Sequence, residues 1–509
     1  MSASVTSSIL NLINNVIGAG LFSMPWCLKQ STLLTGSAVF VFMALLNIRS
    51  FMLLAESCEM VGKYSYLEIG KHAFGQRFGR FAQGITCFYT AGSLVSYVVL
   101  AADCLVGENE SGDGTGVLSL WMEGSFLGDG STKARALCIY AMGLVVFLPF
   151  SLFRNLDALR HVSVLAFFAT LFAGFLVVFQ LAANNPASAR ADDGGDDDDH
   201  QSSESGGHDG LAKDVEWFGL PLGVWQAVPI INVAFTAHYN GPRFFVELKH
   251  RTLPNFQAVV GASLGGALLV YLSVGICGYL SFGENTVGDV LDNFKASYDL
   301  AIGARLSLLA ILAACFPKVQ HSLRDGLVRL LYGGAASRAA VDASGDPVPQ
   351  SADDLPTGPY VLLTLGVVLV ACTLGAVCTQ VEVVLAYKGG IFGTLMVYIL
   401  PPLIHTAISM DYPGGSGGGG SGALVSSGAG GGDDEAGMWA RLPGDEPHYD
   451  PHGKDQGTLG PIAPTWRVLM TELFCKREHR LSAFIFSWGC ASGVLAVSIT
   501  ILKQAEVID

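Results

Sequence analysis

The sequence predicts an all-α integral membrane fold with about eleven membrane-spanning helices. Three observations carry that expectation. The 509 residues are 51% hydrophobic and only 14% charged, against about 25% charged in an ordinary soluble domain. Mean hydropathy is +0.45, and the apolar residues gather in blocks of about 20, the length that crosses a hydrocarbon layer of roughly 30 Å. Lys and Arg are concentrated in alternate connections between those blocks, the pattern that marks one side of a membrane.

The blocks fall at about 7–28, 33–58, 81–105, 134–152, 162–182, 220–246, 255–281, 300–320, 357–380, 384–409 and 481–502. The connection after the second carries Lys63, Lys71, Arg77 and Arg80, and that after the fourth carries Arg154 and Arg160. Arg243, Lys249 and Arg251 follow the sixth, Lys318, Arg324 and Arg329 the eighth, and Arg467, Lys476, Arg477 and Arg480 the tenth. Since excess Lys and Arg marks the cytoplasmic face, the N-terminus is expected in the cytoplasm and the C-terminus outside or in a lumen. Asn109-Glu110-Ser111, an acceptor triplet for N-glycosylation at Asn109, falls in a connection assigned outside.

The domain organisation that follows is a transmembrane core of ten helices over residues 1–409, a flexible cytoplasmic linker over 410–480, and an eleventh helix with a short tail over 481–509. The linker includes the Gly/Ser-rich run from Gly414 to Gly432. The net charge of −14 comes largely from acidic runs in the connections, Asp196 to Asp199 and Asp433 to Glu435 among them, which read as solvated loop. The first block contains Asn14, Asn15 and Pro25 with no basic segment ahead of it, so it reads as a retained helix and not a signal peptide.

Enzyme chemistry finds little support. There is no GxxxxGK[ST] phosphate loop for ATP and no HExxH. The single GxSxG match, Gly414 to Gly418, lies in the linker without the strand–turn–helix setting of a nucleophile elbow. Most of the eleven cysteines sit in apolar blocks, with no CxxC pair and no zinc spacing, so no metal is expected. Glu56 and Glu59, near the inner end of the second block, are expected to meet water or Lys63.

Two blocks depart from plain lipid-compatible sequence. The first reads Asn11-Leu-Ile-Asn14-Asn15-Val-Ile-Gly18-Ala19-Gly20-Leu-Phe-Ser-Met-Pro25, and the sixth reads Asn232-Val-Ala-Phe235-Thr236-Ala-His238-Tyr239-Asn240-Gly241-Pro242. Within a bilayer an unpaired backbone group costs several kcal/mol, so a helix break persists only where it lines a cavity or is buried in protein. Gly18 and Gly20 permit unwound backbone, and Pro25 and Pro242 cannot donate the helical bond. Breaks at corresponding places in two five-helix halves point to a transport site, with free N–H groups for a carboxylate and free carbonyls for a cation. His238, an ionisable group inside a broken helix, is open to two readings: proton coupling, or a structural hydrogen bond.

The residues resemble the amino acid/auxin permease family, particularly its vesicular and sodium-coupled neutral amino acid branches. The resemblance spans nearly the whole chain. It rests on Asn11-Leu-Ile-Asn14-Asn15-Val-Ile-Gly18-Ala19-Gly20, similar to the family's NLxNxxxGxG signature, on Tyr64 to Gly75, on Leu148 to Leu156, on Phe235 to His238 with Glu247-Leu248, and on Gly278 to Asn285. It implies a LeuT-like fold of two inverted five-helix repeats with helices 1 and 6 broken, plus an eleventh helix. It further implies coupled amino acid transport, with Gly18, Ala19 and Gly20 near the substrate carboxylate and Phe235, Thr236 and His238 near its amine and side chain. In sodium-coupled relatives a first-helix Asn and an eighth-helix Thr help to hold sodium. Asn11 and Asn14 match the first, but Cys315 stands where the Thr is expected, and a thiol is a poor ligand for a hard cation. Proton coupling, with His238 as a candidate, is therefore expected over sodium, Ser307 or backbone oxygens being the other candidates for the missing ligand. The expected partners are an amino acid and the lipid bilayer, with no nucleic acid, no ATP and no cofactor beyond the coupling ion. The proposed site segments carry no charged side chain besides His238, so a small neutral amino acid is the expected substrate. The alternative is a sensor of the same fold that binds an amino acid with little flux.

Overall fold

The computed structural model describes residues 4–107, 116–121, 131–154, 160–182, 214–294, 299–332, 351–378, 380–411 and 466–505. The acceptor Asn109 and most of the two long connections lie outside the described residues. Each of the eleven apolar blocks forms a helix or a broken pair of helices. Among the described residues, eight helices are long and apolar enough to cross a membrane alone, and a ninth span is the pair Val5–Val16 and Gly20–Ser31, bent by 58°. The fifth block is the helix Arg160–Ala182, and the sixth is the broken pair Val224–Phe235 and Gly241–Glu247.

Matching spans of the two halves pack on one another in four of the five pairs. Met24–Ser31 of span 1 lies against Val224–Phe235 of span 6, and span 2 (Leu33–Val61) against span 7 (Leu253–Phe282). Span 3 (Gln76–Leu105) lies against span 8 (Asp299–Tyr332), and Thr132–Ala141 of span 4 against span 9 (Thr357–Val377). This pairing is what two five-helix repeats predict. At 30 residues span 3 is about 45 Å long, and with span 8 it backs the broken helices.

Two further spans widen locally, for a reason written in the sequence. Span 4 turns into a π-helix at Met142–Phe147 ahead of Pro149. Span 10 runs from Val381–Tyr387 through π-helical Lys388–Gly393 and Leu395–Ile399 into Leu400–Asp411, which opens with Pro401 and Pro402. A proline has no N–H to give the carbonyl four residues back. For Pro401 that carbonyl belongs to Val397, and the Ser50 hydroxyl of span 2 donates to it instead. Gly389 lets span 10 close on span 6: a Cβ there would stand 2.2 Å from the Pro229 carbonyl oxygen.

Two expectations are corrected. The stretch expected as linker up to residue 480 contains the helix Trp466–Cys475, which buries Leu469 and Leu473 against spans 10 and 11 (Arg480–Gln504). Glu56 does not turn to Lys63. It pairs with Arg49 at 2.6 Å and His405 at 3.0 Å, because two turns along span 2 bring Arg49 onto its face and span 10 covers both.

Candidate functional site

Span 1 is helical to Val16, turns out at Ile17 (φ −73°, ψ 102°), passes Gly18 in extended conformation (φ −138°, ψ −154°), and restarts as a 3₁₀ turn, Ala19–Ser23. Span 6 ends at Phe235, turns out at Thr236 (φ −86°, ψ 111°) and restarts through the 3₁₀ turn His238–Asn240. Each break leaves end carbonyls without the donor four residues on. One side chain answers both: the Tyr271 hydroxyl of span 7 lies 2.8 Å from the Val16 oxygen and 3.0 Å from that of Ala234. Its single proton is shared between the two acceptors. Tyr271 is fully buried, edge-on to Phe235 at 5.3 Å between ring centres.

Beside the clamped breaks is a cavity of about 60 Å³. Span 1 contributes Asn14, Asn15, Gly18 and Gly20, and span 6 contributes Ala234, Thr236 and Tyr239. The opposite wall is Tyr89, Ser93, Ser96 and Tyr97 of span 3, Cys315 and Lys318 of span 8, and Lys388 of span 10. The Thr236 hydroxyl donates to the Asn232 carbonyl at 2.6 Å, and Tyr239 reaches the Asn15 side-chain oxygen at 3.4 Å, tying the two broken helices together.

Of the residues singled out from sequence, Asn14, Gly18, Gly20, Thr236 and Cys315 line this cavity. Ala19 opens the 3₁₀ turn between the two glycines. Asn11, Phe235 and His238 do not line it. Asn11 is exposed. Phe235 packs on Tyr271, and His238, fully buried, stacks on Phe51 of span 2 with ring centres 3.8 Å apart. The break rotates residues 235 and 238 toward spans 7 and 2, while 234, 236 and 239 face the cavity. Ser307 stands eight residues, about 12 Å of helix, from Cys315; it does not line the cavity, and its hydroxyl donates to the Gly303 carbonyl at 2.8 Å.

Sequence reading missed Lys388, Ser93, Tyr89 and Tyr271. Lys388 is 6% exposed; its ammonium donates to Ser93 Oγ at 3.0 Å and lies 4.9 Å from the Tyr89 ring centre. The signal was present, since Lys388 lies inside the block at 384–409 and an ionisable residue inside a spanning block points to function.

One turn beyond Leu100, span 3 ends in a charged cluster. Asp103 and Arg135 form an ion pair at 2.5 Å, each about 5% exposed. In the connection between spans 7 and 8, burial and the neighbouring Asp292 push the Asp289 carboxyl up to about 7. Arg305, fully buried, donates to the Leu291 and Phe294 carbonyls of the same connection at 2.8 and 3.2 Å.

Two helices broken at matching positions around a polar cavity, inside a bundle of membrane spans, define a multi-pass membrane protein with a central transport-type site. The chain belongs to the family described as transmembrane amino acid transporter protein, which matches residues 1–411. That family is one of transporters and not of enzymes. A Schizosaccharomyces pombe protein named vacuolar amino acid transporter 5 is 24% identical over 416 residues, 81% of this chain and 86% of its own. Mouse (Mus musculus) solute carrier family 38 member 10 is 24% identical over 81% of this chain and 34% of its own. Amino acid transporter AVT6B of Arabidopsis thaliana is 27% identical over 64% of this chain and 69% of its own.

Proposed function

We propose that this chain is a secondary active transporter that carries an amino acid through the cavity between spans 1, 3, 6, 8 and 10, driven by protons and not by sodium. The carrying observation is the pair of breaks clamped by Tyr271 over a polar cavity. The first N–H groups of the 3₁₀ turn at Ala19–Ser23 lie outside its own hydrogen-bond ladder and suit the substrate carboxylate. The carbonyl end of Val224–Phe235 and the Thr236 hydroxyl suit its ammonium.

The argument against sodium is electrostatic. The cavity lining includes two lysines, no carboxylate, and a thiol at Cys315 where an oxygen ligand is expected. A hard cation would enter a positive site that offers no carboxylate and has a thiol in place of one expected oxygen ligand. The Lys/Arg bias of the connections supports a cytoplasmic N-terminus and an extracellular or lumenal C-terminus, and the name of the S. pombe relative favours a vacuolar membrane.

The test is uptake of labelled amino acids into proteoliposomes under a proton gradient, a sodium gradient, or neither. Proton-driven uptake is expected. Sodium-driven uptake would overturn the coupling, and binding without flux under any gradient would favour the sensor reading.

A further inference from the structure

Lys388 poses a physical problem that the proposed function leaves open. Its ammonium is buried inside a membrane span, and a buried charge is costly unless it is paired and hydrogen-bonded. Its contacts are the Ser93 hydroxyl and the Tyr89 ring, both without net charge. Among the described residues no carboxylate pairs with Lys388, and the other ionisable amine in the cavity wall, Lys318, adds to the positive charge.

The surroundings are nonetheless built to hold this side chain. A Cβ at position 92 would stand 3.0 Å from Lys388 Cγ, so Gly92 leaves the groove in which the stem lies. Ser93 and Tyr89 flank it on the same span, and the widened π-helical stretch of span 10 starts at Lys388 itself. A lysine held this way on a cavity wall, with hydrogen-bonding capacity left over from its three donors, lacks only an anion.

We infer that Lys388 binds a second carboxylate of the substrate, so that the preferred cargo is an acidic, dicarboxylic amino acid. The inference rests on the proposed transport function and revises the small neutral substrate expected from sequence. The unwound backbone at Gly18–Gly20 takes the α-carboxylate on one wall. Lys388 takes the side-chain carboxylate on the other, where the pair is shielded from water and so discriminates strongly against an uncharged isostere.

The experiment is counterflow in proteoliposomes of the full chain, with labelled L-aspartate and L-glutamate set against their amides, L-asparagine and L-glutamine. Each pair has nearly the same size and differs in one charge. The wild-type protein is expected to favour the acids by at least about tenfold in KM. Lys388→Met should erase or reverse that preference, and Lys388→Arg should keep it. A wild type that prefers the amides overturns the inference without any variant, so a misfolded variant cannot protect it. An acid preference unchanged in Lys388→Met also overturns it, by showing a structural lysine. Counterflow of neutral amino acids alone would sink the charge assignment and leave transport standing; no flux of any amino acid would sink both.

Discussion

Replacing Tyr271 with phenylalanine removes one oxygen atom and tests whether the two broken helices are held by a shared clamp. The ring contact with Phe235 is kept, and so is the volume, apart from the hydroxyl. What disappears is the donor that lies 2.8 Å from the Val16 carbonyl and 3.0 Å from that of Ala234. Orphaning a buried acceptor costs about 1–3 kcal/mol. Because a single proton serves both carbonyls, that cost is counted once. As an equilibrium shift it is about five- to 150-fold, directed against the conformation in which both breaks face the cavity. The assays are thermal unfolding of the purified protein in detergent and the initial rate of amino acid counterflow. Tyr271→Phe should lower both the midpoint and the rate while still inserting as a multi-pass protein. An unchanged midpoint with a rate within about twofold of wild type, under 0.5 kcal/mol, would show that the hydroxyl does not hold the breaks together.

Two further predictions concern the charged end of span 3. Breaking the buried Asp103–Arg135 pair by Arg135→Met should cost about 3–5 kcal/mol, because it strands a carboxylate, whereas combining it with Asp103→Leu should recover much of the loss; equal loss in single and double variants, read by thermal unfolding, would refute the pairing argument. Asp289 is held up at about 7, against about 3.9 when free, so its closed environment is fully stable below about pH 4 and loses stability as pH rises through about 7. Asp292 and Glu382 push the carboxyl up and Arg305 pulls it down. Hydrogen exchange over residues 286–294 should therefore quicken between about pH 4 and 7 and level off above that, after correction for intrinsic rates, and Asp289→Asn should remove that change; a flat profile in the wild type would contradict it.

Much of the architecture was legible in the sequence because the bilayer imposes local rules. A span must be about 20 apolar residues, and a break must show as Gly, Pro and polar groups clustered together. That is why the blocks at 7–28 and 220–246 could be singled out, and Asn14, Gly18, Gly20 and Thr236 of those blocks do line the cavity, as does Cys315, which the family resemblance had picked out. The same rules place the π-helical widening ahead of Pro149, a consequence of a missing donor.

What the sequence could not express is which face of each span looks inward. A helix apolar all round has no stripe to orient it, and a broken helix loses the 100° step that would carry direction across the break. His238 therefore stayed open between a coupling group and a structural one, and only packing shows that it lies on Phe51. Nothing in the local sequence sets Tyr271 and Ser93 apart from the apolar spans that hold them. Their roles arise where spans 1 and 6 meet span 7, and where span 3 meets span 10, with the partners 255 and 295 positions apart in the chain. Amino acid sequence alone determined the spans and the two breaks, because those answer to lipid and backbone hydrogen bonding. The tertiary structure decided the clamp and the charge of the cavity, because those depend on contacts between distant helices that no local pattern records.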